Sequence, residues 1–94
     1  MIFTSLRNEN DDGYAQMAQR MFELAAQQEG YLGVETAHED LGITVSYWKD
    51  LESVKKWKAN AEHLEAQQNG RDKWYSAYHI RISKVEDDYM FESE

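Results

Sequence analysis

Apolar and polar residues along this chain switch between a spacing of two and a spacing near 3.6, and each switch marks an element. Residues 2–8 (IFTSLRN) alternate, with Ile2, Thr4 and Leu6 on one side and Phe3, Ser5 and Arg7 on the other, which predicts a strand. Asn8 to Gly13 is polar and turn-forming and offers several helix N-cap candidates. Tyr14, Met17, Ala18, Met21, Leu24 and Ala25 then make one apolar stripe of a helix reaching Glu29, with Gly30 expected at its C′ position. Residues 31–38 are expected to form a second strand, 39–42 a hairpin turn, and 43–48 (ITVSYW) a third strand rich in β-branched and aromatic residues. Asp50 is the expected N-cap of a helix carrying Leu51, Val54, Trp57 and Ala61 on one side. A further helical stretch is predicted through Gln68, stopped by Gly70. A long strand follows from about Tyr75 to Val85, then an acidic tail holding Tyr89, Met90 and Phe91.

The order β-α-β-β-α-β predicts an α+β fold of the ferredoxin-like kind, an antiparallel sheet with both helices on one face, in a single domain spanning 1–94. Alternation assigns Ile2, Leu6, Leu32, Val34, Ile43, Val45, Tyr47, Tyr78, Ile80 and Ile82 to one face. The other collects Phe3, Ser5, Arg7, Thr44, Ser46, Trp48, Ala77, His79, Arg81 and Ser83. The helices cover one face, and neither face suits water as a whole, so the sheet calls for a second covering surface. A chain of this length buries only about 60–65% of its unfolded surface, which also favours burial against a second copy. A homodimer is the expectation.

Composition narrows the function classes. The 94 residues include no cysteine and no proline, so disulfides and thiolate metal sites are out. A net charge of −8 argues against nucleic acid and anionic membrane surfaces, both of which need positive patches. No apolar run approaches the ~18 residues of a membrane span. Met1 to Leu6 enters an alternating pattern with no basic leader, which makes a cytoplasmic protein the expectation. The three histidines (His38, His63, His79) fall in different elements without metal-ligand spacing, and no glycine-rich loop follows a strand. No metal and no cofactor are expected.

Several motifs resemble the antibiotic biosynthesis monooxygenase family. They are Tyr47-Trp48 closing a strand, Trp57 on the next helix, Asn60-Ala61-Glu62-His63, Gly70-Arg71, Trp74-Tyr75 before the last strand, and Gly30-Tyr31-Leu32-Gly33. The resemblance covers nearly the whole chain. It implies a dimeric α/β barrel with the two sheets face to face, and a small-molecule pocket between each subunit's helices and its own sheet. The aliphatic sheet face would then be the dimer interface. The mixed face would line the pocket with Phe3, Ser46, Trp48, His79 and Arg81. Haem-degrading relatives of this fold rely on a first-strand asparagine and a histidine about ten residues past the helix tryptophan; the matching positions here hold Arg7 and Gln67.

Within that frame His63 is the candidate proton acceptor, since an imidazole titrates near neutral pH and suits a phenol or hydroquinone. The resulting anion is electron-rich enough to react with dioxygen without flavin or metal. Asn60 would hold a substrate oxygen, Trp57 would stack on a ring, and Arg81 would stabilise negative charge. The competing reading makes His63 a surface residue beside Glu62, Trp57 ordinary core, and His79 and Arg81 partners of nearby polar groups. Two functions follow: a cofactor-independent monooxygenase of a small aromatic, phenolic or quinol compound, or a dimer that binds a small molecule, or haem, without chemistry.

Overall fold

The computed structural model describes residues 1–9, 12–67 (side chains through 65) and 73–93. It contains β1 (Ile2–Arg7), α1 (Tyr14–Ala26), β2 (Tyr31–His38), β3 (Gly42–Trp48), α2 (Leu51–Gln67) and β4 (Tyr75–Arg81). The strands form one antiparallel sheet in the order β2-β3-β1-β4, the ferredoxin-like arrangement. α2 is one continuous helix where two stretches were expected, and β4 stops at Arg81. The Gly70 stop and the Gly70-Arg71 pair lie outside the described residues. Among the described residues no helix is long and apolar enough to cross a membrane.

The caps follow backbone chemistry at some cost to the simplest sequence reading. Gly13 caps α1 in a left-handed conformation (φ 76°) with no side-chain capping bond. Asn8, a cap candidate by sequence, instead donates from its side chain to the carbonyls of Lys73 and Tyr75, tying β1 to β4. α1 ends at Ala26 with Gln27 as C-cap, so Gly30 does not occupy C′. Its left-handed backbone (φ 87°) turns the chain into β2. Asp50 does cap α2: the Ser53 amide donates to its carboxylate at 2.8 Å. Those bonds hold the Asp50 carboxyl below the usual carboxylate range.

The core lies between the helices and the sheet. Met17 and Ala25 enter it from α1 and Val54 and Trp57 from α2. Trp74, 2% exposed, locks the connection into β4. Its indole donates to the Asp12 carbonyl at 2.6 Å, and its own carbonyl accepts from the Asn8 amide.

Two bulges decide which side chains face the helices. In β4, Arg7 pairs with Tyr75 but Leu6 pairs with Ala77, so Ser76 is the extra residue. Tyr75 and Tyr78 consequently share a face despite their odd spacing. In β2, Tyr31 pairs with Trp48 and Gly33 with Tyr47, leaving Leu32 extra and 67% exposed. Val34 and Tyr31 thereby share the helix-covered face.

The face assignment made from alternation is therefore corrected for β2 and β4. Tyr78 pairs with Ser5 and Ile80 with Phe3, placing both under the helices. His79 pairs with Thr4 and Arg81 with Ile2, placing those two, with Ala77, on the bare face. That face also carries Leu6 and Ile43, 45% and 39% exposed.

Candidate functional site

A pocket of about 320 Å³ opens between the two helices and the sheet. Its floor comes from alternate residues of the strands: Phe3 from β1, Thr44 and Ser46 from β3, Val34, Thr36 and His38 from β2, and Tyr75, Tyr78 and Ile80 from β4. Its walls are Tyr14, Ala18, Met21, Phe22 and Ala25 of α1 and Trp57, Lys58, Ala61, Glu62 and Glu65 of α2. The α2 contribution follows the i, i+1, i+4, i+5, i+8 rhythm of one helix face. That volume and a mostly apolar lining with a few polar groups are what a small-molecule site requires.

The lining is aromatic at one end. Phe3 packs on Tyr75 and Tyr78 with ring centroids 5.6 and 5.3 Å apart, and Tyr14 meets Tyr75 edge-on at 6.1 Å. The Arg7 guanidinium lies 3.2 Å over the Tyr14 ring while its Nε donates to the Trp74 carbonyl. Burial raises the Tyr75 phenol pKa, and the neighbouring Tyr14 hydroxyl and Glu65 carboxylate raise it further against the opposing pull of Arg7. Tyr75 is therefore a neutral hydrogen-bond donor at physiological pH. Toward β2 the floor is polar in a different way: the Thr36 and Thr44 hydroxyls are 3.0 Å apart.

Of the residues expected to form the site, Phe3, Ser46 and Trp57 line this pocket. Trp48 stands behind it, stacked on Trp57 at 5.7 Å and 22°, with its indole donating to the Ser46 hydroxyl at 2.9 Å. It lines a larger open groove on the other side, bounded by Leu32, Tyr47, Leu51, Ile82 and Val85. Asn60 and His63 are exposed and are not among the pocket-lining residues. The geometric reason is helical phase: residues 57, 58, 61, 62 and 65 face inward, so 60 and 63 turn outward. Asn60 donates to the Gln28 side chain at 3.2 Å, fastening α2 to the end of α1. His79 and Arg81 are on the opposite sheet face, for the pairing reason given above. The placement of these four residues thus corrects the expected Trp-Asn-His cluster and the expected polar strand.

Sequence reasoning missed Tyr14, Tyr75, Tyr78, Thr36 and His38 as lining residues. Tyr14 was legible as the first inward position of the α1 stripe. Tyr75 and Tyr78 depend on the β4 bulge, which no simple alternation reveals. Among the described residues no three histidine or carboxylate side chains converge as a metal site would require.

Residues 1–69 match the family described as antibiotic biosynthesis monooxygenase. Among curated proteins, the "Uncharacterized protein YqjZ" of Bacillus subtilis (strain 168) is 44% identical over 94 residues, spanning 98% of this chain and 82% of that protein. The "Jasmonate monooxygenase ABM" of Pyricularia oryzae is 37% identical over 43 residues, which is 46% of this chain and 20% of that protein.

Proposed function

The chain belongs to the antibiotic biosynthesis monooxygenase family, and on that footing we propose that its pocket takes a small phenolic or quinol compound and oxygenates it without a cofactor. The observation that carries this reading is the pocket of about 320 Å³ walled by Phe3, Tyr14, Trp57, Tyr75 and Tyr78. Flat apolar walls suit a ring, and aromatic side chains stack well on one.

The chemistry balances on substrate and dioxygen alone. Deprotonation of a phenol gives an anion whose ring carbon donates electrons to dioxygen and forms a C–O bond. The hydroperoxide loses water, leaving a quinone. One oxygen atom stays in the product and the other leaves as water, so no external reductant enters. The proton acceptor belongs among the lining groups His38, Glu62 and Glu65, since His63 lies outside the pocket. The name of the Pyricularia oryzae relative, a monooxygenase, supports this reaction class.

Oxygen uptake with a panel of naphthols and hydroquinones tests the proposal. Uptake is expected, and Val34→Trp, which fills the pocket floor, abolishes it. Binding without uptake would replace this reading with a non-catalytic binding protein, a reading favoured by the outward placement of Asn60 and His63. No binding at all would refute both.

The second copy enters the proposal through the bare sheet face. Leu6, Leu32 and Ile43 leave 45%, 67% and 39% of their surfaces to water. Such a patch is the mark of an interface. Two copies packed face to face through it would bring His79 and Arg81 to the interface. Light scattering is expected to give twice the chain mass, and Ile43→Glu to halve it; a monomer for the parent chain would refute the assembly.

A further inference from the structure

Beyond the end of β4 at Arg81, residues 82–93 continue with no helix, strand, turn or bend, and all of them are exposed. Among the described residues, no hydrogen bond or ion pair ties this arm to the rest of the chain. Tyr89, Met90 and Phe91 are 96%, 84% and 84% exposed. Aromatic residues and methionine are enriched where protein interfaces are most buried, and a cluster of them left in water marks a contact surface. The radius of gyration is 14.2 Å, above the about 12 Å of a compact chain this long, as a projecting arm requires.

The root of the arm borders the open groove behind Trp48. Ile82 and Val85 line that groove together with Ile2, Val45 and Tyr47 of the bare sheet face and Leu51 of α2. Asp88 is the last arm residue to line it, so Tyr89 to Phe91 lie past it. The arm makes no turn that would bring those three back into their own groove. Three lining residues carry a cation (Met1, Lys49, Lys84) and three a carboxylate (Glu35, Asp50, Asp88), so the groove has no net charge to repel an acidic arm. Glu86, Asp87, Asp88 and Glu92 make the arm itself unsuited to anionic lipid.

We propose that this arm is exchanged between two copies of the chain, with Tyr89 and Phe91 of each copy seated in the groove behind Trp48 of the other. This rests on the second copy proposed above and is independent of the pocket's chemistry. In an extended chain Tyr89 and Phe91 point to the same side, so both rings enter one groove. Each ring buries about 150–250 Å². Four rings from two arms, with the groove surface that meets them, reach the about 1,200–2,000 Å² that a stable interface buries. Groove and arm lie on one chain, so a two-fold axis satisfies both at once. The exchange also completes a site: rings from one copy back Trp48, whose other side stacks on the pocket wall Trp57 of its own chain.

The chain has no cysteine, so introduced thiols report alone. A full chain carrying Phe91→Cys is mixed with one carrying Leu51→Cys and treated with a short bifunctional maleimide. Both positions are exposed, at 84% and 54%, so the substitutions spare the fold. A 91–51 link, which in this mixture joins two chains, is expected by mass spectrometry. Leu41→Cys, 45% exposed in the β2–β3 hairpin and outside the groove, is expected to link far less. Equal linking at 41 and 51, or no link at 51, would overturn the exchange. So would a chain bearing both Phe91→Cys and Leu51→Cys that closes within itself while the mixture stays unlinked. Tyr89→Ser with Phe91→Ser, both fully outside the core, raises the dimer Kd by about a hundredfold or more in a light-scattering dilution series. An unchanged Kd would overturn the exchange and leave a dimer held by the sheet face alone. A parent chain that stays monomeric would remove the sheet-face dimer and the exchange together.

Discussion

Gly30 offers the sharpest test of how the helices are held over the sheet. Its backbone is left-handed (φ 87°), and a Cβ built there would stand 2.3 Å from the Ser53 hydroxyl oxygen and 2.9 Å from the Ser53 Cβ. The hydroxyl can rotate away, but the Cβ is fixed to the first turns of α2, and Ser53 is itself buried. Gly30→Ala therefore combines two costs. The left-handed conformation costs a residue with a Cβ about 1–2 kcal/mol. Overpacking against Ser53 adds about 1–3 kcal/mol. The lower entropy of the unfolded alanine chain returns about 0.4–1 kcal/mol, leaving a net loss of about 2–4 kcal/mol. For a domain of this size that is on the order of 10–25 °C in Tm. Thermal and urea denaturation of the parent, Gly30→Ala, Ser53→Gly and the double variant form a cycle. The double variant recovers the steric part and keeps the backbone part, so a coupling of about 1–3 kcal/mol is expected. A loss under about 1 kcal/mol for Gly30→Ala, or no coupling, would refute the reading that the chain at Gly30 packs too closely on Ser53 to admit a side chain.

Other residues give independent checks. Trp74→Phe removes the 2.6 Å bond to the Asp12 carbonyl from a side chain 2% exposed, and is expected to cost about 2–4 kcal/mol in urea denaturation. Asp50→Ala lowers Tm at pH 7. Because the folded Asp50 carboxyl titrates below its ordinary value, its contribution is present above that value and lost as pH falls through the folded one. The Tm gap between parent and variant accordingly closes at acid pH, and a gap that stays constant would refute the cap. His63→Ala leaves ligand affinity and any oxygen uptake within about twofold, which kinetics on the purified variant checks; a large loss would return His63 to the site.

Element order and fold class were legible because the switch from period two to period 3.6 is strong and the elements are short. Asp50 as a cap was legible because the carboxylate sits directly before the apolar stripe of α2. The two sheet faces were only half legible. Alternation holds along β1 and β3, where Phe3, Thr44 and Ser46 face the helices as expected. It fails across Leu32 and Ser76, where an unpaired residue reverses every later side chain. His79 and Arg81 changed faces for that reason alone. Asn60 and His63 failed differently: the motif places them near Trp57 in sequence, but the helix turns each through an angle that separates them from it.

The Trp48–Trp57 stack is a partition two rings thick. Trp57 lines the pocket and Trp48 lines the open groove behind it, so the same pair of indoles is the wall of both spaces. Rings that close are electronically coupled, and their shared transition shows in circular dichroism as a paired signal from neither ring alone. The chain thus carries its own optical gauge: a ligand on either side that tilts one indole changes the signal of both, with no label attached.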